Sequence, residues 1–470
     1  MDLRVGEAAA LAALVIAAPA AARANGAFPA AEAVLVPADR PQEIMLVTNF
    51  GMVLSEDGAQ TWSWSCEQDT NALGMLYQLG PAPRRRLFAV ANQQVVYSDD
   101  ATCSWRIAGG LVAGQSVTDV FPDPTNADRV LAIAVASAMY AVFESADGGA
   151  TFGTMLYQGG AGETVTSVES ARSDPRVVYV ALMGADQSPR LARSSDGGGH
   201  WTVSDLGAGA VPVLGPGIPR IIAVDPADAA TVLLRWSSVA GGEAIAVTHD
   251  GGATATRTLD IEHYFTSFAR LGDGALMLSA VVAVSPAQKA GLFLSHDGGA
   301  TFQENDAVPG VLAIAARGGT LYAATDNFGD GYALGASTDE GASFQPVMRF
   351  DQIGSIMACL RANAQCQASC EALAGNGLGS PGMIWEEAVC KAGTGMPSGA
   401  GGSAPAGSGG VGGGAAGAGA AGSGGSAGGT HHSSGGGCSL APGPHDADLG
   451  ALVVAIALVA LGRRRFRPRS

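Results

Sequence analysis

Short apolar or alternating stretches separated by turn residues run through the chain between residues 28 and 350. Residues 130–135 and 139–144 are typical, since both are rich in Val, Ile, Ala and aromatic side chains and end near Asp and Gly. Stretches of this length, bounded by Gly, Asp and Pro, are typical of β-strands joined by tight turns. No part of this region has the 3.6-residue apolar period of an amphipathic helix. The pattern predicts an all-β structure.

An eight-residue box recurs along this region and sets its period. Its clearest copy is SHDGGATF at residues 295–302, with the pattern Ser/Thr-x-Asp-x-Gly-x-Thr-aromatic. Close copies occupy residues 55–62, 145–152, 194–201 and 337–344. Copies that match the pattern at fewer positions occupy residues 98–105 and 248–255. A fixed pattern at a period of roughly 40–55 residues indicates a repeat fold. About four strands in each of seven repeats predict a seven-bladed β-propeller over residues 27–350.

Asp-Pro turns support this division into repeats. The box aspartates of the third, fourth and fifth repeats lie 24, 22 and 25 residues beyond the Asp-Pro pairs that start at Asp123, Asp174 and Asp225. Such regular spacing predicts one common blade structure.

Each blade contributes one box aspartate, and these residues are predicted to form turns. An Asp carboxylate accepts backbone N–H groups further along a turn, while glycine supplies a positive φ. Because equivalent positions on seven blades lie apart on a ring, they do not converge on one catalytic site. The box aspartates are Asp57, Asp100, Asp147, Asp196, Asp250, Asp297 and Asp339.

The box resembles the Asp-box, or BNR, repeat, and the resemblance covers roughly residues 30–350. The blades are similar to those of sortilin-type domains, xyloglucan-degrading glucanases and the photosystem II assembly-factor family. Sialidases carry the same box, but the sequence lacks their Phe/Tyr-Arg-Ile-Pro motif ahead of the first box. Arg220 follows Ile218-Pro219 only in the fifth blade. The glucanases place their cleft between two propellers, whereas this chain predicts one, so the resemblance implies the fold more strongly than an activity.

The cysteines predict disulfides in an oxidising compartment. Residues 1–24 have the features of a signal peptide, with a short apolar core and an Ala-Arg-Ala cleavage site. Cys66 and Cys103 lie in the first two repeats and are predicted to pair. Cys359, Cys366, Cys370 and Cys390 lie in a predicted helical segment, residues 352–391, where Cys390 would staple two short helices. Two further bridges of open connectivity are expected there; zinc is the alternative, although no Cys-x2-Cys pair is present.

The C-terminal part of the chain predicts a tether. Residues 392–437 are almost entirely Gly, Ala and Ser and are predicted to be a disordered linker. Residues 438–470 contain Cys438, an apolar stretch at 449–461 and an arginine cluster. This arrangement resembles the C-terminal sorting signal of myxobacterial surface proteins. The resemblance implies processing near Cys438 by a membrane protease, and the alternative is an ordinary C-terminal membrane anchor.

Charge and composition exclude one class of partner. The formal net charge is -16 and the chain has only two lysines. The folded region shows no basic stripe that could neutralise phosphates, so a nucleic-acid partner is not expected. The Arg84-Arg85-Arg86 triplet is predicted to be a solvated loop, with an anion site as the alternative. No cofactor or metal is predicted. His431-His432 is interpreted as two polar residues of the linker without a metal-binding role.

The sequence favours an exported, cell-surface, non-enzymatic propeller that binds a protein or a polysaccharide. The alternative is an extracellular glycan-active hydrolase, which needs several acids in one cleft with an aromatic platform. An assembly factor like the photosystem family is a third reading and needs a photosynthetic host. The acids to consider, with their neighbouring aromatic clusters His263-Tyr264 and Asp326-Asn327-Phe328, are Asp119, Asp260, Glu262, Asp326 and Asp330.

Overall fold

A computed structural model describes residues 29–66, 75–211, 214–283, 289–305, 308–375, 384–385 and 388–392. The predicted signal peptide, almost all of the linker and the C-terminal segment with Cys438 lie outside the described residues. In the described part of the chain, no helix is long and apolar enough to span a membrane.

The chain forms a seven-bladed β-propeller in which each blade is an antiparallel meander of four strands. Blade 1 contains β1 (Ala31–Leu35), β2 (Ile44–Thr48), β3 (Gly51–Ser55) and β4 (Ser63–Cys66). Blade 2 contains β5 (Met75–Leu79), β6 (Leu87–Ala91), β7 (Gln94–Ser98) and β8 (Arg106–Ile107). Blade 3 contains β10 (Ser116–Pro122), β11 (Val130–Ala136), β12 (Met139–Ser145) and β14 (Thr154–Gln158).

The remaining four blades follow the same order. Blade 4 contains β15 (Thr164–Ser170), β16 (Val178–Met183), β17 (Pro189–Ser194) and β18 (Thr202–Asp205). Blade 5 contains β20 (Gly217–Val224), β21 (Val232–Ser238), β22 (Glu243–Thr248) and β23 (Ala255–Ile261). Blade 6 contains β24 (Tyr264–Arg270), β25 (Leu276–Ala283), β26 (Lys289–Ser295) and β27 (Gln303–Asn305). Blade 7 contains β28 (Ala313–Arg317), β29 (Thr320–Ala324), β30 (Leu334–Ser337) and β31 (Gln345–Met348).

Short parallel pairs join some neighbouring blades. β9 (Gly109–Gly110) pairs with β13 (Thr151–Phe152), and β19 (Ala210–Val211) pairs with β23. Within the described residues before position 350, the only α-helical element is the single turn α1 (Leu206–Gly209). The all-β prediction is therefore confirmed for the propeller.

The meander places the loops between strands on two opposite faces of the propeller. Because successive strands run in opposite directions, the turns between first and second and between third and fourth strands share one end of every blade. This end carries the boxes and is called the box face. The turns between second and third strands, and the connections from one blade to the next, lie on the opposite face.

The hydrophobic core lies between neighbouring blades. Leu131 and Ile133 of blade 3, for example, are fully buried with Val168 and Val178 of blade 4. Burying one such side chain contributes about 1.5–3 kcal/mol. The first strands of neighbouring blades contact one another around the central axis.

The four-stranded meander of blade 1 comes from the N-terminal end of the propeller and that of blade 7 from its C-terminal end. Residues 350–392, here called the C-terminal clasp, run on from blade 7 to blade 1. β32 (Ser355–Ile356) adds a parallel strand to the outer edge of β4. The clasp also contains 3-10 turns at Phe350–Gln352 and Ala358–Leu360, and helices α2 (Ala364–Gly375) and α3 (Ala388–Lys391). Trp385 of the clasp is buried, with its ring 5.1 Å from that of Trp64.

The disulfide pairing differs from the prediction. Cys66 pairs with Cys366 and Cys103 pairs with Cys359, with Cα–Cα distances of 5.4 and 5.6 Å, so the predicted Cys66–Cys103 bridge is wrong. The physical reason is that the clasp follows β4 and brings its own cysteines to both positions. The third bridge, Cys370–Cys390, joins α2 to α3. Since all four clasp cysteines are in disulfides, none is left as a thiolate for zinc.

The arginine triplet is an exposed loop at Arg84 and Arg85, as predicted, but Arg86 is buried. Arg84 pairs with Asp128 and Arg85 with Asp39, each with an N–O distance of 2.6 Å. Arg86 is 7% exposed, pairs with Asp99 at 2.6 Å, donates to the Gly148 carbonyl and lies over the ring of Tyr97. The prediction is wrong for Arg86 alone, because the Gly148 carbonyl that it contacts comes from another blade and is distant in sequence. Arg86 therefore ties blade 2 to blade 3, whereas the exposed pairs of Arg84 and Arg85 contribute little.

Candidate functional site

Each box aspartate accepts at least three hydrogen bonds within its own turn. In blade 6, Asp297 Oδ1 accepts from the Ser295 hydroxyl at 2.8 Å and the Thr301 N–H at 2.9 Å. Its Oδ2 accepts from the Thr301 hydroxyl at 2.6 Å. Gly298 has a φ of +72°, which glycine adopts without strain. The Thr301 donors, with smaller contributions from Ser295 and Ala300, lower the pKa of Asp297 to about 2.

The same three acceptor contacts recur in all seven boxes. The donors are the Ser or Thr two residues before the aspartate and the N–H and side chain of the residue four positions after it. Hydroxyl donors first of all, together with backbone N–H groups, also lower the pKa of Asp57 and Asp339 to about 2. Carboxylates bound in this way hold turns and leave little capacity for proton transfer.

The acids nominated from the sequence are distributed over three places. Asp119 lies on β10 at the centre of the ring. Asp260 and Glu262 lie at the connection between blades 5 and 6 and line one cleft. Asp326 and Asp330 lie in the β29–β30 loop of blade 7, where Asp330 Oδ2 accepts from the backbone N–H groups of Gly310 and Asp326. The structure therefore brings together two nominated pairs, Asp260 with Glu262 and Asp326 with Asp330, at separate places.

The cleft has a volume of about 510 Å³ and opens on the face opposite the boxes. It lies between the β21–β22 turn and the end of β23. Its side chains come from Trp236, Ser238, Glu243, Arg257, Asp260, Ile261 and Glu262.

An aromatic and a cationic side chain form one wall of this cleft. The Arg257 guanidinium lies 5.5 Å from the centroid of the Trp236 ring. Arg257 Nε also donates to Asp260 Oδ1 at 2.5 Å. Trp236 is 6% exposed, and its Nε1 donates to the Gly215 carbonyl at 3.2 Å. The wall is thus pre-organised by stacking and ion pairing.

Glu243 is the buried carboxylate of the cleft, and its oxygens are occupied. Oε1 accepts from Arg235 Nε at 3.0 Å and from the Ser237 hydroxyl at 2.9 Å. Oε2 accepts from the Phe265 N–H at 2.6 Å, which ties blade 5 to blade 6. Glu243 was not nominated from the sequence, because an acid at the start of a strand has no signature that distinguishes it from an exposed one.

Exposed apolar side chains lie on the same face. Val239 next to the cleft is 55% exposed, and Tyr264 and Phe328 are each 37% exposed. Tyr264 begins β24 immediately after the cleft residues, while Phe328 belongs to the blade 7 loop. Apolar and aromatic surface beside polar groups is a common composition for a ligand-binding surface.

A second acidic pair lies on the inner strands. Burial, opposed by the nearby Arg220, raises the pKa of Asp119 to about 6. Burial, with a smaller contribution from Asp119, raises the pKa of Glu169 on β15 to about 8. Glu169 Oε2 accepts from the Val224 N–H of blade 5 at 3.2 Å. Sequence reasoning nominated Asp119 but missed Glu169, since the two residues meet only when blades 3 and 4 pack together.

Comparison with known proteins identifies no family for this chain. No protein-family model matches the chain. No curated protein matches it either.

Among solved structures, the chain is similar to other propellers at low identity. An ancestral GH74 enzyme shares 13% identity and a TM-score of 0.42, over 58% of this chain and 38% of that one. YCF48 from Cyanidioschyzon merolae shares 11% identity and a TM-score of 0.43, over 63% of this chain and 92% of that one. The microbial sialidase Hz136 shares 14% identity and a TM-score of 0.39, over 60% and 70%. The chain spans 38% and 65% of the length of the ancestral enzyme and of a second GH74 enzyme, from Niastella koreensis.

Proposed function

We propose that the chain is a non-enzymatic binding module that captures a polysaccharide at the cleft between blades 5 and 6. The observation that carries this proposal is the composition of the cleft. It joins the Trp236–Arg257 wall to the exposed acids Asp260 and Glu262, with the exposed ring of Tyr264 beside them.

The chemistry of this surface suits sugar hydroxyl groups, which both donate and accept hydrogen bonds. Asp260 and Glu262 supply acceptors, Arg257 supplies donors, and Ser238 supplies both. A tyrosine ring at the edge of the cleft offers an apolar face to a pyranose ring. Few polar groups beside an apolar surface are the usual features of small-molecule recognition.

The bonding of the carboxylates favours binding over hydrolysis. Glycoside hydrolysis needs a proton-donating carboxyl and a second carboxylate on the other side of the bond. In the cleft, Glu243 is held by Arg235, Ser237 and the Phe265 N–H, and Asp260 is held by Arg257. Of the three cleft acids, this leaves Glu262 as the only carboxylate outside those interactions.

The proposed location is outside the cell, with a tether made of the linker predicted at residues 392–437 and the sorting or anchor segment predicted at residues 438–470. Three disulfides support this location, because such bonds persist in oxidising compartments. The tether itself stays a prediction from the sequence.

The test is a glycan array followed by a hydrolysis screen, using the full chain produced with its disulfides intact. Tyr264→Ala and Asp260→Asn are expected to weaken binding about tenfold or more, because central aromatic and charged contacts dominate most interfaces. Met155→Ala is the matched control, since Met155 is 49% exposed on the outer strand of blade 3. Equal binding by the wild type and all three variants would show that the cleft is not the glycan-binding site.

A glycan hydrolase is the second candidate, and one observation favours it. Asp119 and Glu169 form a carboxyl pair with raised pKa values of about 6 and about 8, and such pairs mark acid–base sites in some hydrolases. Glycan turnover by the intact protein that is lost in Asp119→Asn and kept in Asp260→Asn would establish this reading. The binding proposal would then be wrong.

A further inference from the structure

A histidine and two carboxylates from three separate turns meet on the box face, between blades 6 and 7. His296 Nε2 lies 3.5 Å from Glu340 Oε2, and His296 Nδ1 lies 3.9 Å from Asp273 Oδ2. One ligand atom can be taken from each residue so that all three lie within 4.8 Å of one another. The three side chains are about half exposed.

Hydrogen-bonded turns fix the backbone on which each of these side chains stands. Asp273 uses Oδ1 to accept the Ala275 N–H at 3.0 Å, so Oδ2 faces His296. The box bonds of Ser295 and Asp297 hold the residues on either side of His296. The blade 7 box holds Glu340 in the same way, since the Gly341 N–H donates to the Ser337 hydroxyl at 2.9 Å.

The two carboxylates face different ring nitrogens of His296, and no hydrogen bond joins either of them to the imidazole. Within the described part of the chain, neither carboxylate forms an ion pair with a lysine or arginine. Two other box histidines are engaged differently. His200 Nδ1 lies 2.6 Å from Asp196 of its own turn, and His249 Nδ1 lies 3.0 Å from the Thr231 hydroxyl. His296 is the box histidine that faces two carboxylates instead.

Glu340 stands where five of the seven boxes have glycine. Its φ is +56°, whereas the equivalent glycines, Gly58, Gly148, Gly197, Gly251 and Gly298, have φ values between +72° and +81°. A side chain in this left-handed region is unfavourable, and such outliers occur preferentially at functional sites. The glutamate therefore costs local stability relative to glycine at this position.

We propose that Asp273, His296 and Glu340 form a surface site for a divalent first-row metal ion, with zinc as the representative ion. One imidazole and two carboxylates match the ligand preferences of this class. Zinc bonds of about 2.0–2.2 Å place tetrahedral ligands about 3.3–3.6 Å apart. The His296 Nε2–Glu340 Oε2 separation of 3.5 Å lies in that range. The full set, with one ligand atom from each residue, lies within 4.8 Å, so a carboxylate has to move closer to the ion. Small rotations of the exposed Asp273 and Glu340 side chains complete the approach, and solvent supplies the remaining ligand. The spacing of the three residues along the chain conceals the site, because they come from three turns of two blades.

The test is a zinc titration of the full-length protein by calorimetry, with three variants. His296→Asn removes the central ligand, and Glu340→Gly removes a ligand while restoring the residue found in most boxes. His249→Asn is the matched control, because His249 occupies the same box position in blade 5. Zinc bound by the other histidines is common to all four proteins. Loss of one ligand is expected to weaken the site at least about tenfold.

The expected result has two parts. His296→Asn and Glu340→Gly lose one zinc-binding event that His249→Asn retains, and zinc raises the unfolding temperature of the wild type and of His249→Asn only. Glu340→Gly without metal unfolds at the wild-type temperature or above it, which separates lost binding from lost folding. Equal zinc binding by the wild type and His296→Asn would overturn the proposal, as would the same loss in His249→Asn.

Discussion

At the scale of single residues, the box aspartates and the pair Asp119 and Glu169 lie in two different environments, which shift their pKa values in opposite directions. Box aspartates such as Asp297 are surrounded by donors, and their pKa is lowered to about 2. They stay charged at every physiological pH and stabilise turns. Asp119 and Glu169 lie among apolar blades, where burial raises the pKa of each. Only this second group can couple protonation to stability near neutral pH.

Replacement of Glu169 by Gln should change the pH dependence of stability. The folded pKa of about 8 lies above the ordinary value of 4.5, so the folded state holds a proton that the unfolded state has lost between these two pH values. The stability of the wild type should therefore fall as pH rises from about 5 to about 8. Gln resembles the protonated acid, so Glu169→Gln should gain at least about 2 kcal/mol relative to wild type over this interval.

Urea unfolding at pH 5 and at pH 8.5 measures this change. Glu371→Gln on the exposed side of α2 is the control, and its difference from wild type should be the same at both pH values. A Glu169→Gln difference that is also independent of pH would mean that Glu169 is ionised in the folded protein.

At the scale of elements, the first strands of four blades contain a β-bulge that helps to join one blade to the next. The ladders of β10, β15, β20 and β24 each shift by one residue, near Thr118, Thr166, Ile222 and Thr266. A bulge of this kind redirects the next side chain. Ser167 and Ser267 follow two of these bulges and bond to the backbone of the next blade.

Removal of the Ser267 hydroxyl should be costly. Its Oγ donates to the Ile314 carbonyl and accepts the Ile314 N–H, both at 3.1 Å, and Ser267 is fully buried. Ser267→Ala would leave buried backbone groups without a partner, so a loss of about 1–3 kcal/mol is expected. The Ser116 hydroxyl, which bonds Gln93 at the surface, gives the control, and Ser116→Ala should change stability by less than about 0.5 kcal/mol. Similar losses in the two variants by urea unfolding would contradict the role assigned to Ser267.

The strands and the ring could be predicted from sequence because they depend on local patterns. Apolar alternation, Asp-Pro turns and the repeated box are each visible within about ten residues. Asp260 and Glu262 could be named as candidate acids from sequence, but the cleft that they line is a finding of the structure. Glu169, Glu243 and the partners of Arg86 could not, because bulges and contacts between blades decide which way those side chains face.

At the scale of the whole molecule, the clasp links the two ends of the propeller. Blades 1 and 7 share a core, and β32, which follows blade 7, joins the blade 1 sheet beside β4. The clasp is also bonded covalently to blade 1 through Cys66 and to blade 2 through Cys103. The predicted Cys66–Cys103 bridge would have joined only neighbouring blades. Cysteine spacing could not show the true pairing, because partners 300 and 256 residues apart are brought together by the closed ring alone.

The two clasp disulfides should therefore act as partial substitutes for each other. Alone, a bridge between residues 256 apart would contribute about 5 kcal/mol in the chain-entropy model. When Cys66–Cys366 is intact, Cys103–Cys359 closes a loop of only roughly 45 residues and contributes about 4 kcal/mol. Serine replacement of both pairs should cost more than the sum of the single-pair losses, by about 1 kcal/mol or more.

Unfolding midpoints of the three serine variants, with hydrogen exchange at β1 and β28, would measure this coupling. Loss of both clasp bridges should speed exchange at the contact between blades 1 and 7, where the ring would open. Serine replacement of Cys370 and Cys390 is the matched control, because this bridge joins α2 to α3 within the clasp and closes no path around the ring. It should leave exchange at that contact unchanged. Additive losses from the two clasp bridges, with no faster exchange between blades 1 and 7, would mean that the shared hydrophobic core closes the ring without covalent help.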